Sequence, residues 1–210
     1  MNILALSDRV LDWVYSTQVR ENYPNVDLII GCGDLPFYYL DFLVSALDKP
    51  LVYVCGNHDQ TPQYTADGRT LTHVQGGLDL HGMTAVIHDT LFAGLEGSIR
   101  YRPGARLMYD EAEMRFQISR LLPGLLRNRV MYGRFLDILV AHSPPFGIHD
   151  RPDPAHTGFK AFLPFLRIFK PRYMLHGHIH LYRQDAIRQT QFEQTTIINV
   201  YPLYKLAYKA

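Results

Sequence analysis

The stretch Leu51-Val52-Tyr53-Val54-Cys55-Gly56-Asn57-His58-Asp59-Gln60 decides how the chain is read. An apolar run with two β-branched residues stops at a glycine, and three polar side chains follow at once. A short continuous apolar run bounded by glycine suits a strand covered on both faces. Gly, Asn and Asp also suit a tight turn at a strand end. By itself the stretch therefore leaves two readings open, a turn or a loop that carries ligands.

The same grammar recurs along the chain. Ile3 to Leu6, Val26 to Ile30, Phe135 to Ala141 and Tyr173 to His176 read as further strands, and Thr90 to Leu95 and Ala85-Val86-Ile87 as shorter ones. Leu11 to Glu21, Tyr38 to Leu47, Asp110 to about Arg127 and Phe159 to Phe169 read as helices. The second of these places Leu40, Leu43, Val44 and Leu47 at helical spacing. Asp110 with Glu113 forms a capping-box pair at the start of the third, and Pro123 predicts an interruption within it. Gln60 to Arg69 reads as a loop. Ala186-Ile187 and Thr195 to Val200 read as antiparallel strands at the C-terminal end. Strand, helix, strand, helix, strand at the start of the chain is the pattern of α/β architecture with neighbouring parallel strands. With no repeat, linker or low-complexity segment, one domain over residues 1–210 is the economical organisation.

Bulk properties narrow the function. The chain has 210 residues, with 21 basic and 20 acidic residues and a formal net charge of +1. Such a balance supplies no global basic field, so nucleic acid is disfavoured as a partner. No apolar run is long enough to span a bilayer, and the start MNILALSD lacks the features of a secretory leader. Cys32 and Cys55 suit a reducing cytoplasm and read as small buried thiols rather than metal thiolates. A cytoplasmic location with no membrane partner is the expectation.

Polar groups able to bind metal gather after these strands. Asp8 follows Leu4 to Ser7. Asp34 follows Ile29 to Gly33. Asn57, His58 and Asp59 follow Gly56. His142 follows Leu139 to Ala141, and His178 and His180 follow Met174 to Gly177. In open α/β sheets ligands collect beyond the carboxyl ends of the strands. Carboxylates and imidazoles converging there would be costly without cations between them. Each residue alone has an ordinary explanation: Asp8 as a helix cap, His142 as a loop residue, His178 and His180 as alternating strand positions. Five clusters together point to a metal centre.

The series Asp8, Gly33-Asp34, Gly56-Asn57-His58-Asp59, His142 and Gly177-His178-Ile179-His180 resembles the calcineurin-like metallophosphoesterase superfamily, with the blocks in family order over residues 8–180. The resemblance implies two mixed β-sheets in a sandwich flanked by helices. It implies a phosphoesterase using two divalent transition metal ions (manganese, iron or zinc) on a small phosphodiester or phosphomonoester, the diester being favoured. Carried over by residue, Asp34 would bridge both ions, Asp8 and His180 would complete the first site, and Asn57, His142 and His178 the second. His58 would act as general acid and Asp59 would orient its ring. The family's first block usually has histidine two residues after the aspartate, where this chain has Val10. If strand-end geometry is kept, Val10 should point toward the first ion; Asp12 is poorly placed to replace the ligand. A catalytically weak scaffold or protein-interaction module on the same fold is the alternative. Gly147 to Lys160, with His149 and His156, is a candidate substrate-contacting loop, and Tyr38, Tyr39 and Tyr101 could stack on a base.

Overall fold

The computed structural model describes residues 1–65, 68–183 and 185–209. In chain order the elements are β1 (Asn2–Leu6), α1 (Val19–Asn22), β2 (Leu28–Cys32), α2 (Phe37–Leu47), β3 (Leu51–Val54), β4 (Gln63–Tyr64), β5 (Thr70–Leu71), β6 (Gly77–Asp79), β7 (Thr84–Ile87) and β8 (Thr90–Leu95). Then follow β9 (Ser98–Ile99), β10 (Met108–Tyr109), α3 (Glu111–Tyr132), β11 (Ile138–Ala141), α4 (Phe162–Phe169), β12 (Tyr173–His176), β13 (Gln189–Phe192), β14 (Thr195–Asn199) and β15 (Leu203–Ala207).

Two mixed sheets carry the architecture. One has the order β15-β1-β2-β3-β6, the other β13-β14-β12-β11-β8-β7. Within the first, β1, β2, β3 and β6 run parallel and β15 is antiparallel to β1. Within the second, β14, β12, β11 and β8 run parallel, with β13 and β7 antiparallel at the two edges.

Side chains alternate across a strand, so each inner strand serves two layers. Ile3, Ala5, Leu28, Ile30, Val52 and Val54 of the first sheet meet Phe92, Ile138, Val140, Leu175 and Ile198 of the second in one buried cluster. The neighbouring positions Leu4, Leu6, Ile29, Leu51 and Tyr53 face outward and pack with Phe37, Leu40, Leu43 and Leu47 of α2. On the far side Ala93, Leu95, Leu139 and Met174 pack with Met114, Leu121 and Leu125 of α3 and with Phe162, Phe165 and Leu166 of α4. The layers are therefore helix, sheet, sheet, helix. This explains why the strands read as unbroken apolar runs: both faces of each are covered.

Several expectations need correction. The helix expected over Leu11 to Glu21 is only Val19–Asn22; its first half forms turns closed by Val14 N–H and Tyr15 N–H donating to the Leu11 carbonyl. Ser16 and Thr17 compete with the helical ladder there, while Leu11, Val14 and Val19 are buried regardless. The capping box of Asp110 and Glu113 is present, but α3 continues through Pro123 to Tyr132. Leu121 and Leu125 anchor it on either side of the proline, so tertiary packing outweighs the local cost. The strand expected from Phe135 begins at Ile138, and the helix expected from Phe159 at Phe162. Ala186-Ile187 is not a strand; the edge strand is Gln189–Phe192, and β14 is parallel to β12 rather than wholly antiparallel. The loop expected over Gln60 to Arg69 contains β4 and contributes to the ribbon β4-β5; its residues 66 and 67 lie outside the described residues. No described helix is long and apolar enough to cross a membrane.

Candidate metal centre

The carboxyl ends of β1, β2 and β3 in one sheet and of β11 and β12 in the other open onto a common cavity of about 630 Å³, lined in part by Asp8, Asp34, His58, His156, His178 and His180. The first sheet brings carboxylates and the Asn57 amide; the second brings imidazoles.

Backbone geometry turns each side chain inward. Asp8, Asp34 and His178 all have positive φ, at 61°, 53° and 65°. A left-handed non-glycine residue costs free energy, and such residues gather where a site demands them. Gly33 has φ 89°, and a Cβ there would collide with the His142 ring. A Cβ on Gly177 would meet the Asp8 carboxylate at 2.5 Å. These two glycines let β2 and β12 approach the groups that the opposite sheet delivers.

Asp8 and Asp34 stand in different settings. Asp8 accepts from the His178 backbone N–H at 3.0 and 3.2 Å, and its Oδ1 lies 3.5 Å from His180 Nε2. Asp34 Oδ1 accepts from the His58 backbone N–H at 2.7 Å, and its Oδ2 lies 3.4 Å from His142 Nε2. One ligand atom from each of Asp8, Asp34 and His142 falls within 4.8 Å of the others.

His142 shows what the arrangement lacks as protein alone. It is fully buried, and its Nδ1–H donates to the Cys32 carbonyl at 2.9 Å. Its other nitrogen then presents a lone pair, yet it faces Asn57 Oδ1 at 3.0 Å and the Asp34 carboxylate. Three acceptors around one point call for a cation or a proton. Burial disfavours the imidazolium, but Asp34 beside it outweighs burial and raises the His142 pKa to about 9. Burial likewise disfavours charge on Asp34, but His142 outweighs it and the carboxyl falls to about 2. Neutral imidazole, amide oxygen and carboxylate form a donor set that suits a divalent transition metal, which would fill the position otherwise taken by that proton.

The remaining candidates are held by backbone groups. His178 Nε2–H donates to the Ala155 carbonyl at 2.8 Å, leaving Nδ1 with the free lone pair. Burial, then His142, pulls the His178 pKa well below its ordinary value, so the ring is neutral. His180 is more open: it stacks on Tyr201 at 4.4 Å between centroids, and its Nδ1 lies 2.8 Å from the Tyr182 hydroxyl.

Two placements differ from expectation. The resemblance has Asp59 orient the His58 ring, but its Oδ2 accepts from the Gly56 and Asp34 backbone N–H groups at 2.7 and 2.9 Å. It pins the β3 turn to the β2 turn. The resemblance also has Val10 point toward the first ion. Instead its partly buried side chain packs against the core cluster that contains Leu6, Leu11 and Leu35. The left-handed Asp8 redirects the chain, and an apolar side chain gains more by joining that cluster than by facing a polar cavity.

His156 lines the cavity, hydrogen-bonded through Nδ1 to Asp153 at 2.7 Å. His149 does not. It lines a separate hollow with Arg151 and Thr190, and its Nδ1 sits 2.9 Å from Nε2 of the buried His176. Of the tyrosines, Tyr39 is fully buried in the helix-side core, Tyr38 packs edge-on to Tyr15, and the Tyr101 hydroxyl accepts from Asn57 Nδ2 at 3.4 Å. Sequence reasoning missed the carbonyls of Cys32 and Ala155, because a carbonyl has no signature in the residue type. It also missed a neighbouring network in which the Tyr109 hydroxyl donates to Glu96 at 2.6 Å and the Glu96 backbone N–H donates to His81 at 3.2 Å.

The profile of the calcineurin-like phosphoesterase family matches residues 4–182, and the chain belongs to that family. It is thus a metal-dependent phosphoesterase by family. One crystal structure superposes with a TM-score of 0.64 at 15% identity over 95% of this chain and 90% of its own. The protein TT1561 of Thermus thermophilus superposes with a TM-score of 0.60 at 16% identity over 95% of this chain and 88% of its own. Both share the fold. Vacuolar Protein Sorting 29 from Cryptosporidium parvum reaches a TM-score of only 0.42 at 13% identity, over 95% of this chain and 72% of its own. No curated protein matches the sequence.

Proposed function

We propose that the chain is a cytoplasmic phosphodiesterase that acts on a small substrate with two divalent transition metal ions, manganese, iron or zinc. The observation that carries this reading is the meeting of Asp8, Asp34 and His142 ligand atoms within 4.8 Å at the junction of two sheets. Asp34, with a ligand atom within 4.8 Å of those of both Asp8 and His142, would be shared. Asp8 and His180 would hold one ion, and Asn57, His142 and His178 the other. Such ions supply activated water at neutral pH and neutralise charge on phosphoryl oxygens.

The residues of the chain account for the rest. The His58 backbone is fixed by its bond to Asp34 while its side chain stands exposed at the cavity edge, a suitable place from which to protonate the leaving oxygen. Asp59 keeps the β2 and β3 turns together. Ala155 and Cys32 fix the tautomers of His178 and His142.

Turnover of bis-p-nitrophenyl phosphate with added manganese, iron or zinc tests the reading. His58→Ala should lower kcat by ~10²-fold or more with metal content retained, because a general acid acts on the transition state. The scaffold reading draws on Val10, which stands where the resemblance would place a histidine ligand. Absence of turnover with all three metals would favour it.

A further inference from the structure

His58 lines two adjoining hollows, together with Asp59, Gln60 and Pro62. One is the cavity over Asp8 and Asp34. The other, of about 490 Å³, is lined by Asn57, His58, Thr61, Arg102, Arg106 and Met108, among others. Its outer wall is the turn at 101–107 between β9 and β10, which pair in parallel. That wall is tied to the metal-binding turn: Gly97 N–H donates to the Cys55 carbonyl at 2.9 Å, and the Tyr101 hydroxyl accepts from Asn57.

The two arginines in this wall are exposed and line the hollow that His58 also lines. Arg100, Arg134, Arg167 and Arg183 each pair with a carboxylate. Arg106 gives one N–H to the Thr61 carbonyl at 3.0 Å, and Arg102 lies over the Tyr101 ring at 5.2 Å. Among the described residues neither forms a carboxylate pair within 4.0 Å, although Arg106 acts on Glu96 at longer range. A guanidinium offers five donors in a fork that matches phosphate oxygens, and each of these keeps donors beyond the contacts named.

Resting on the reading above, we propose that this second hollow receives the leaving group, and that the leaving group carries a phosphate of its own. A general acid must lie within reach of the oxygen that departs, so that part of the substrate belongs on the His58 side. In the step, a water oxygen bonds to phosphorus as the P–O bond to the leaving alcohol breaks. The bonding pair departs with the alcohol oxygen, which takes the His58 proton; the attacking water gives its proton to solvent. The products are a phosphomonoester and an alcohol that already bears a phosphate. The substrate class is a diester such as a dinucleotide with a terminal phosphate, recognised at its end rather than along a polymer.

The test compares thymidylyl-thymidine with the same dinucleotide phosphorylated at its 3′ or its 5′ end, using the full chain with manganese. We expect kcat/KM to favour one phosphorylated form by ~10-fold or more, the range for one or two charged hydrogen bonds. Arg102→Ala should collapse that ratio toward one, and Arg102→Lys, which keeps charge but loses the fork, should retain part of it. A wild-type ratio near one for both forms, with turnover present, overturns the inference while leaving the phosphodiesterase reading intact. Calorimetry of thymidine 3′,5′-bisphosphate on chelator-treated protein separates the two claims. Binding lost in Arg102→Ala, with no diester turnover, supports the phosphate lobe and sinks the catalytic reading; no binding and no turnover overturns both.

Discussion

The two sides of the proposed metal centre are built to different standards. His142, His178 and Asn57 are buried, and each makes a second contact that fixes its direction: the Cys32 carbonyl, the Ala155 carbonyl and the Tyr101 hydroxyl. On the other side His180 is 37% exposed at its side chain, and Val10 packs, partly buried, against the helix-side core. The difference teaches that one family motif can be held tightly at one end and loosely at the other. Preorganised, desolvated ligands lose less entropy on binding a cation, so affinity should follow burial and outer contacts as well as ligand count.

Removing Asp34, the ligand proposed to be shared, should have the largest effect. Asp34→Ala is expected to abolish both metal content and diester turnover, as read by elemental analysis and assay. It also deprives the His58 N–H of its acceptor. Next comes a direct contrast. His142→Ala should lose metal and also fall in stability by about 2–4 kcal/mol, since it empties a fully buried site. His180→Ala should raise the metal concentration needed for half-maximal activity with little change in the urea midpoint. Equal stability losses in the two variants would erase the asymmetry.

Val10→His sharpens the same contrast. A histidine at a core-facing position should leave metal dependence unchanged and cost about 1–3 kcal/mol through a poorly accommodated polar ring. A lowered metal requirement in a well-folded variant would show that the turn after Asp8 can swing toward the cavity.

The smallest effect lies beside the centre, at Glu96. Burial raises its pKa to about 7 from 4.5, although the Tyr109 hydroxyl opposes the shift. The folded state therefore holds this proton more tightly than the unfolded chain. Stability from this group is full below about pH 4.5 and declines as pH rises toward 7. Glu96→Gln should remove that decline, so that wild type loses stability relative to the variant across this window in denaturation at successive pH values.

Much of this was legible in the chain. β3 could be read at Leu51 to Val54 because unbroken apolar runs need cover on both faces, and α2 because Leu40, Leu43 and Leu47 recur at helical spacing. The polar residues after those runs were visible as candidates. The first helix was misjudged because Leu11, Val14 and Val19 are buried without a continuous helix, and burial alone does not specify backbone conformation. Pro123 was misjudged for the opposite reason: contacts with another layer hold a helix that its own sequence would interrupt.

What the sequence determined by itself was the alternation of strands and helices and the residue types at the strand ends, because periodicity and turn chemistry act over a few neighbouring positions. Only the tertiary structure decided which way those side chains face. Val10 packed against the core, Asp59 took backbone amides, His149 went to a separate hollow, and Arg102 and Arg106 came to line a hollow with His58. The direction of a side chain at a turn depends on φ at the preceding residue and on competition between core and cavity. Both are set by segments far apart in the chain.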